Sequence, residues 1–170
     1  MKIIGYVALL ALVLVVVIFA AGQLGFLRGQ PPPGLGVQQG RLKAPSLTPN
    51  SVSSQAELYP DHPQRSYAEV APFKFVGDGK AALHSLAALL EASERCVLVR
   101  REPDYLYAQC TTRWLKFTDD VEFSLDEAAA AIHVRSASRL GQKDLGVNRA
   151  RVEALRAHFE QNAGTNLLQK

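Results

Sequence analysis

The sequence predicts an α+β domain. Its order is strand, helix, four-strand antiparallel meander, helix, with two helices on one face of a mainly antiparallel sheet and an N-terminal transmembrane helix ahead of it. Three observations predict this. From Asp120 to Leu125, Val121, Phe123 and Leu125 alternate with Asp120, Glu122 and Ser124, the two-residue period of a strand with one buried face. Two strand-like runs, Cys96–Arg101 and Tyr105–Arg113, flank Glu102-Pro103-Asp104 as the arms of a hairpin would. Two further runs carry apolar residues at helical spacing: Leu83, Leu86 and Leu90 in one, Val152, Leu155 and Phe159 in the other.

In chain order, Ile3 to Gly22 is apolar throughout apart from its two glycines. As a helix, about 20 such residues span roughly 30 Å, the thickness of a bilayer core. The competing reading is a cleaved signal peptide, with Lys2 as its basic start and Ala20-Ala21-Gly22 as its small-residue site. The run exceeds the usual signal core of about 7–15 residues, which favours an uncleaved anchor. Residues 1–27 are therefore read as a transmembrane anchor or signal segment. A signal-like start usually translocates the chain behind it, so the expected location is a bacterial inner membrane, single-pass, with the soluble domain in the periplasm.

Residues 28–49 read as a linker. Pro31-Pro32-Pro33 favours extended geometry and Gly34, Gly36 and Gly40 loosen it, so the stretch is expected to hold the domain off the membrane. Asn50 to Pro72 has no clear period and reads as extended or looped. A first strand is expected over Phe73–Val76. A helix comes next over Lys80–Ser93, with Asp78 as its N-cap. The meander is then Cys96–Arg101, Tyr105–Arg113, Asp120–Leu125 and Ala130–Ser136. The last helix runs from Asn148 to about Gln161, so the domain covers 50–163 and 164–170 is a tail.

Charge excludes one class of function. The chain holds 19 basic and 16 acidic residues. Four of the basic ones, Lys2, Arg28, Arg41 and Lys43, precede the domain. That leaves 15 basic against 16 acidic after position 45, a net of about −1. The folded part lacks the basic balance of a nucleic-acid domain.

The stretch Arg135 to Glu153 concentrates what polarity there is: Arg135, Arg139, Lys143, Arg149 and Arg151 against Asp144 and Glu153. It starts as a strand and ends as a helix. Asn148 reads as the N-cap, with Val147 and Val152 as a hydrophobic staple. Arg149 and Arg151 then sit in the first turn, where cations oppose the helix dipole. Two explanations stay open. Asp119, Asp120 or Asp144 pairs with them as scaffold, or the helix start accepts an anion. The surface to test is Asp119, Asp120, Arg135, Ser136, Ser138, Arg139, Asp144, Asn148, Arg149 and Arg151. A loop over Asp126–Ala129 would set Glu122 opposite His133 and Asp120 opposite Arg135. Asp119 and Asp120 point to opposite faces and do not form an acid dyad.

No catalytic residue, metal site or cofactor is expected. Ser136 and Ser138 lack a nucleophile elbow, and His133 is their one nearby base. His62, His84 and His158 have no metal-ligand spacing. A hairpin centred on Pro103 would oppose Cys96 and Cys110. An oxidising compartment would favour a disulfide between them, and a reducing one leaves two core thiols. Tyr105 and Tyr107 share the other face of that strand and read as packing.

Three stretches carry a family resemblance: Asn50-Ser-Val-Ser-Ser-Gln, Phe117-Thr-Asp-Asp-Val-Glu-Phe, and Arg135-Ser-Ala-Ser-Arg-Leu-Gly continuing through Asp144-Leu-Gly-Val-Asn-Arg-Ala-Arg-Val-Glu. Together they resemble the bacterial and plastid family called domain of unknown function 1499, over roughly Pro49 to Gln161. Members often have cysteine where this chain has Ser51. The resemblance implies a fold and an N-terminal membrane or signal segment, and no agreed activity. The expectation is a membrane-anchored, non-enzymatic envelope domain that binds a small anionic ligand or an envelope protein and touches the membrane through residues 3–22. The alternatives are a hydrolase for an anionic envelope substrate, with Ser136 or Ser138 as nucleophile, and a purely structural assembly factor.

Overall fold

A computed structural model describes the backbone of residues 2–168 and the side chains of residues 2–162. The N-terminal helix α1 spans Lys2–Gln23, one helix long and apolar enough to cross a membrane. At 1.5 Å per residue its 22 residues extend about 33 Å. Its end abuts the domain. Gly22 is buried, and a Cβ there would lie 2.5 Å from the Leu115 carbonyl oxygen. Next to it, the Gln23 Nε2 donates to the Trp114 carbonyl at 2.8 Å.

The domain is α+β, built on an antiparallel six-stranded sheet. Its strands are β1 (Ser51–Ser53), β2 (Phe73–Lys74), β3 (Cys96–Arg101), β4 (Tyr105–Thr111), β5 (Thr118–Asp126) and β6 (Ala131–Ser138), in the order β1-β6-β5-β4-β3, with β2 also on β6. A single 3-10 turn (Ala56–Leu58) and the short α2 (Arg65–Ala68) link β1 to β2, and α3 (Gly79–Glu91) and α4 (Val147–Leu168) pack on one face. The meander and both helices agree with the sequence expectation. The strand β1 does not, because three residues with no apolar alternation carry no period. It pairs with β6, Val52 opposite Ser136, in a region read as extended or looped.

Local chemistry explains the elements. The Asp78 carboxylate caps α3 by accepting from the Lys80 and Ala81 N–H groups. Leu83, Leu86, Ala87 and Leu90, at helical spacing, then bury one stripe. They meet Leu106, Val121, Phe123, Ile132 and Val134 from the sheet and Val152, Leu155 and Phe159 from α4. The Phe73 ring packs edge-on against Phe123 and Phe159, at 5.6 and 5.7 Å between centroids. Past Gln161 the last helix continues to Leu168, since no proline is there to stop it and Gly164 alone costs only about 1 kcal/mol. Of the expected tail, 169 and 170 lie outside the described residues.

Two registers matter. In the β3–β4 hairpin, Cys96 opposes Cys110 and Leu98 opposes Ala108, as centring on Pro103 predicts. The cysteines form a disulfide, their Cα atoms 4.1 Å apart. Between β5 and β6 the register differs from expectation by two residues. Ala130 adopts a left-handed φ of 45° and belongs to the turn, so the loop is 127–130. Leu125 therefore pairs with Ile132, Glu122 with Arg135, and Asp120 with Ala137. A shift of two keeps every side chain on its face and changes only its partner.

The second face of the sheet is covered too. Residues in the stretch expected to be a free spacer lie on it: Leu42, 1% exposed, packs with Tyr105 and Tyr107, and Leu35 joins them. The proline and glycine content that reads as linker here makes a strap.

Candidate functional site

The stretch from Arg135 to Glu153 crosses the sheet edge, so its residues divide between the two faces. On the helix face Ser136 and Ser138 of β6 meet the start of α4 and Asp119 of β5. Asn148 sits at the centre, fully buried. Its Oδ1 accepts from the Ser136 hydroxyl at 2.6 Å and from Arg151 at 2.8 Å. Its Nδ2 donates to the Asn50 carbonyl, the Ser138 hydroxyl and the Asp144 carboxylate. Asn148 is therefore not the N-cap. The helix begins at Val147, so Gly146 holds the N-cap position, and the Asp144 carboxylate satisfies the helix start from outside by accepting from the Gly146 and Asn148 N–H groups. Val147 is the first helical residue and 41% exposed, so it forms no tight staple.

Both arginines of the first turn have protein partners. Arg151 donates to Asp119 at 2.5 Å, and the two make an ion pair with side-chain exposures of 13% and 2%. Arg149 donates to the Tyr67 carbonyl at 2.5 Å and the Glu69 carbonyl at 2.9 Å, rather than to an aspartate. It thus ties α4 to α2 and the residue after it.

The Asp144 carboxyl also accepts from the Tyr67 hydroxyl. Burial pushes its pKa up, but the hydrogen bonds from Tyr67, Asn148 and two backbone N–H groups outweigh this and hold it below the usual carboxylate range. A depressed folded pKa means stability that is present above the unfolded value of about 3.9 and lost as pH falls through the folded one. Asp144→Asn is expected to lower stability at neutral pH and to flatten the loss below about pH 4. Urea midpoints of both proteins across the acid range test this; parallel curves would show that Asp144 contributes nothing to the acid limb.

On the strap face lie Asp120, Arg135 and Arg139, with two tyrosines absent from the expected site. Arg139 grips Asp120 through Nε and Nη2, and Tyr107 donates to the same carboxylate at 2.6 Å. Burial and the Asp120 carboxylate both push the Tyr107 pKa up. Beside this, Glu122 accepts from the Tyr105 hydroxyl at 2.8 Å and from the strap's Gly36 N–H at 2.6 Å. Its partner Arg135 lies 3.6 Å away, donates to the Ala44 carbonyl, and has its pKa lowered by burial despite the nearby Glu122 charge. The alternation predicted charge on this face and a solvated setting. The charge is there, but the strap has removed the water.

Serine chemistry at Ser136 or Ser138 has no base. Both serines lie on the helix face, and His133, at an odd position of β6, lies on the other. His133 instead meets Ser54, Oγ to Nδ1 at 3.2 Å, with Asp126 at 3.7 Å from its Nε2. The triad-like trio was not foreseen. The Ser54 hydroxyl accepts from the Val134 N–H at 2.9 Å, closing the sheet edge, and the Asp126 contact is too long for a hydrogen bond. It is a structural clasp. Among the described residues no group of three or more His, Cys, Asp or Glu side chains is placed to hold a metal ion.

One concave feature among the described residues is a groove between α3 and α4, with a volume of about 740 Å³. Leu89, Ala150, Ala154 and Leu155 supply apolar lining, and the Cys96–Cys110 disulfide closes its sheet end. Arg95, Arg113, Arg151 and His158 also line it, with no aspartate or glutamate among the described lining residues. Of the ten residues marked from sequence, Arg151 alone lines the groove. Arg95 and Arg113 were missed because they flank a hairpin outside the basic stretch, 40 and 22 residues before Arg135, and only the sheet brings them to α4.

A family model described as a protein of unknown function (DUF1499) matches residues 41–159, more than half of the 170-residue chain. No curated protein and no solved structure matches the chain. The matched span starts within the strap, at Arg41 just before the buried Leu42, and includes every strand of the sheet.

Proposed function

The chain belongs to the DUF1499 family, and from its own geometry we propose that it is a membrane-anchored envelope domain with a non-enzymatic role, binding an anionic ligand that carries an apolar portion. The observation behind this is the groove, where the exposed Arg95 and Arg113 stand beside an apolar lining, while Arg151 is already paired with Asp119. Its volume is in the range of small-molecule sites, roughly 300–1,000 Å³. Non-enzymatic binding is favoured over hydrolysis because Ser136 and Ser138 are consumed by the Asn148 network.

The anchor is a single pass through a bacterial inner membrane with the domain in the periplasm. Two observations support this. A helix destined for removal has no need of the close fit between Gly22 and the Leu115 backbone. An intrachain disulfide persists in oxidising compartments such as the periplasm. Blocking free thiols in intact cells, then reducing and labelling the purified protein, is expected to label Cys96 and Cys110 only after reduction. Labelling of both before reduction would place the domain in the cytoplasm.

Ligand binding is tested with n-octyl phosphate, an anion with a short chain, by calorimetry on the full chain in phosphatidylcholine nanodiscs. Saturable binding to the wild type and loss of about tenfold or more in affinity for Arg95→Glu/Arg113→Glu is the expected result. Both positions are exposed, so the substitutions leave the core intact. Equal heats for wild type and variant would sink the proposal.

A further inference from the structure

The groove has a position as well as a chemistry. One of its walls is Thr111-Thr112-Arg113 at the end of β4. That wall runs directly into Trp114 and Leu115, the two residues against which the end of α1 rests. The distance from the last turn of the membrane-spanning helix to the rim of the groove is therefore one or two residues of chain. With Lys2–Gln23 across a bilayer, this rim lies at the lipid headgroups.

The rim residues suit that depth. Trp114, the one tryptophan of the chain, is 64% exposed although it adjoins a folded sheet. The Arg113 guanidinium lies 4.9 Å from the centre of its ring. Tryptophan concentrates at the membrane–water interface, where its ring is apolar and its N–H is wet. An arginine over it places a cation at the phosphate level.

The groove combines three properties. It offers apolar lining from Leu89, Ala150, Ala154 and Leu155, a border carrying the exposed Arg95 and Arg113 with no aspartate or glutamate among the described lining residues, and a rim continuous with the membrane anchor. A soluble metabolite needs none of the third. A protein helix would not fill a concavity of about 740 Å³ bordered by two exposed arginines on its own account. We propose that the occupant is an anionic phospholipid drawn from the bilayer that holds α1, its acyl portion against α3 and α4 and its phosphate between Arg95 and Arg113. This rests on the reading of the groove as an anion-accepting site. It adds that the ligand arrives sideways from the membrane rather than from solution.

The test uses the full chain in nanodiscs of phosphatidylcholine alone or mixed with phosphatidylglycerol, followed by release and native mass spectrometry of retained lipid. Two variants address different properties. Arg95→Glu/Arg113→Glu reverses the border. Ala154→Trp fills the groove at an exposed position without altering charge. Wild type is expected to retain phosphatidylglycerol in preference to phosphatidylcholine, and each variant to lose about tenfold or more of that retention at unchanged melting temperature. Equal retention of the two lipids by wild type, or undiminished phosphatidylglycerol in Ala154→Trp, would overturn the proposal. Should n-octyl phosphate bind wild type and fail to bind Ala154→Trp while no phosphatidylglycerol is retained, the groove remains an anion site and the lipid assignment falls. Should neither bind, both readings fall together.

Discussion

Glu122→Ala is expected to cost roughly 3–5 kcal/mol of stability, a large share of the roughly 5–15 kcal/mol that holds a domain together. Glu122 is 0% exposed and Arg135 is 2% exposed. Truncating the carboxylate leaves the Arg135 charge buried without a counter-ion, and leaves the Tyr105 hydroxyl and the Gly36 N–H without their acceptor. The pair itself is not a strong stabiliser. At 3.6 Å it is too long for a hydrogen bond, and the Glu122 Oε2 and Arg135 Nη1 have no other hydrogen-bond partner. Desolvating both ions therefore offsets much of their attraction. This makes a second, opposite expectation for the same site. Glu122→Leu/Arg135→Met/Tyr105→Phe, which removes the charges and the stranded hydroxyl together, should recover most of the loss. Urea unfolding of the full chain in detergent, monitored by circular dichroism, measures both. A mild Glu122→Ala, within about 1 kcal/mol of wild type, would mean that water reaches Arg135 beneath the strap.

Asn148→Ala is the second large effect, at roughly 3–5 kcal/mol, since each buried polar group left unpaired costs about 1–3 kcal/mol. Five side-chain hydrogen bonds end on this one amide. They join Asn50, the residue before β1, Ser136 and Ser138 of β6, Asp144, and Arg151 of α4. Asn148→Asp keeps the volume and tests whether the amide itself matters. Its new carboxylate would stand where Nδ2 now meets Asp144 at 2.9 Å, so it is expected to be as damaging as alanine. If Asn148→Asp is tolerated while Asn148→Ala is not, packing rather than the hydrogen-bond set explains the site.

These two sites show why the basic stretch misled as a single surface. Its arginines look alike in sequence and have four different settings. Arg139 and Arg135 answer Asp120 and Glu122 beneath the strap; Arg151 answers Asp119 on the helix face; Arg149 answers two carbonyls near α2. Alternation along β5 already separates Asp119 from Asp120, and that separation holds. The partner of each aspartate depends on a two-residue shift set by the φ of Ala130, which residue type does not announce. Ser51 is a further case. It is 1% exposed and accepts from the Ser46 N–H, a role any small polar acceptor fills.

By itself the sequence determined what depends on near neighbours. The apolar run of α1, the Asp78 cap, the helical stripes of α3 and α4, and the hairpin that opposes Cys96 and Cys110 all come from spacing over a few residues. Tertiary structure alone decided what depends on long-range closure. The strap over Tyr105 and Tyr107 turns an expected wet face into a buried one. The pairing of β1 with β6 recruits Asn50 to Asn148. The convergence of Arg95, Arg113 and Arg151 makes a basic groove beside the end of α1. The physical reason is that burial is a property of what covers a residue, and here the covers come from chain segments tens of residues away.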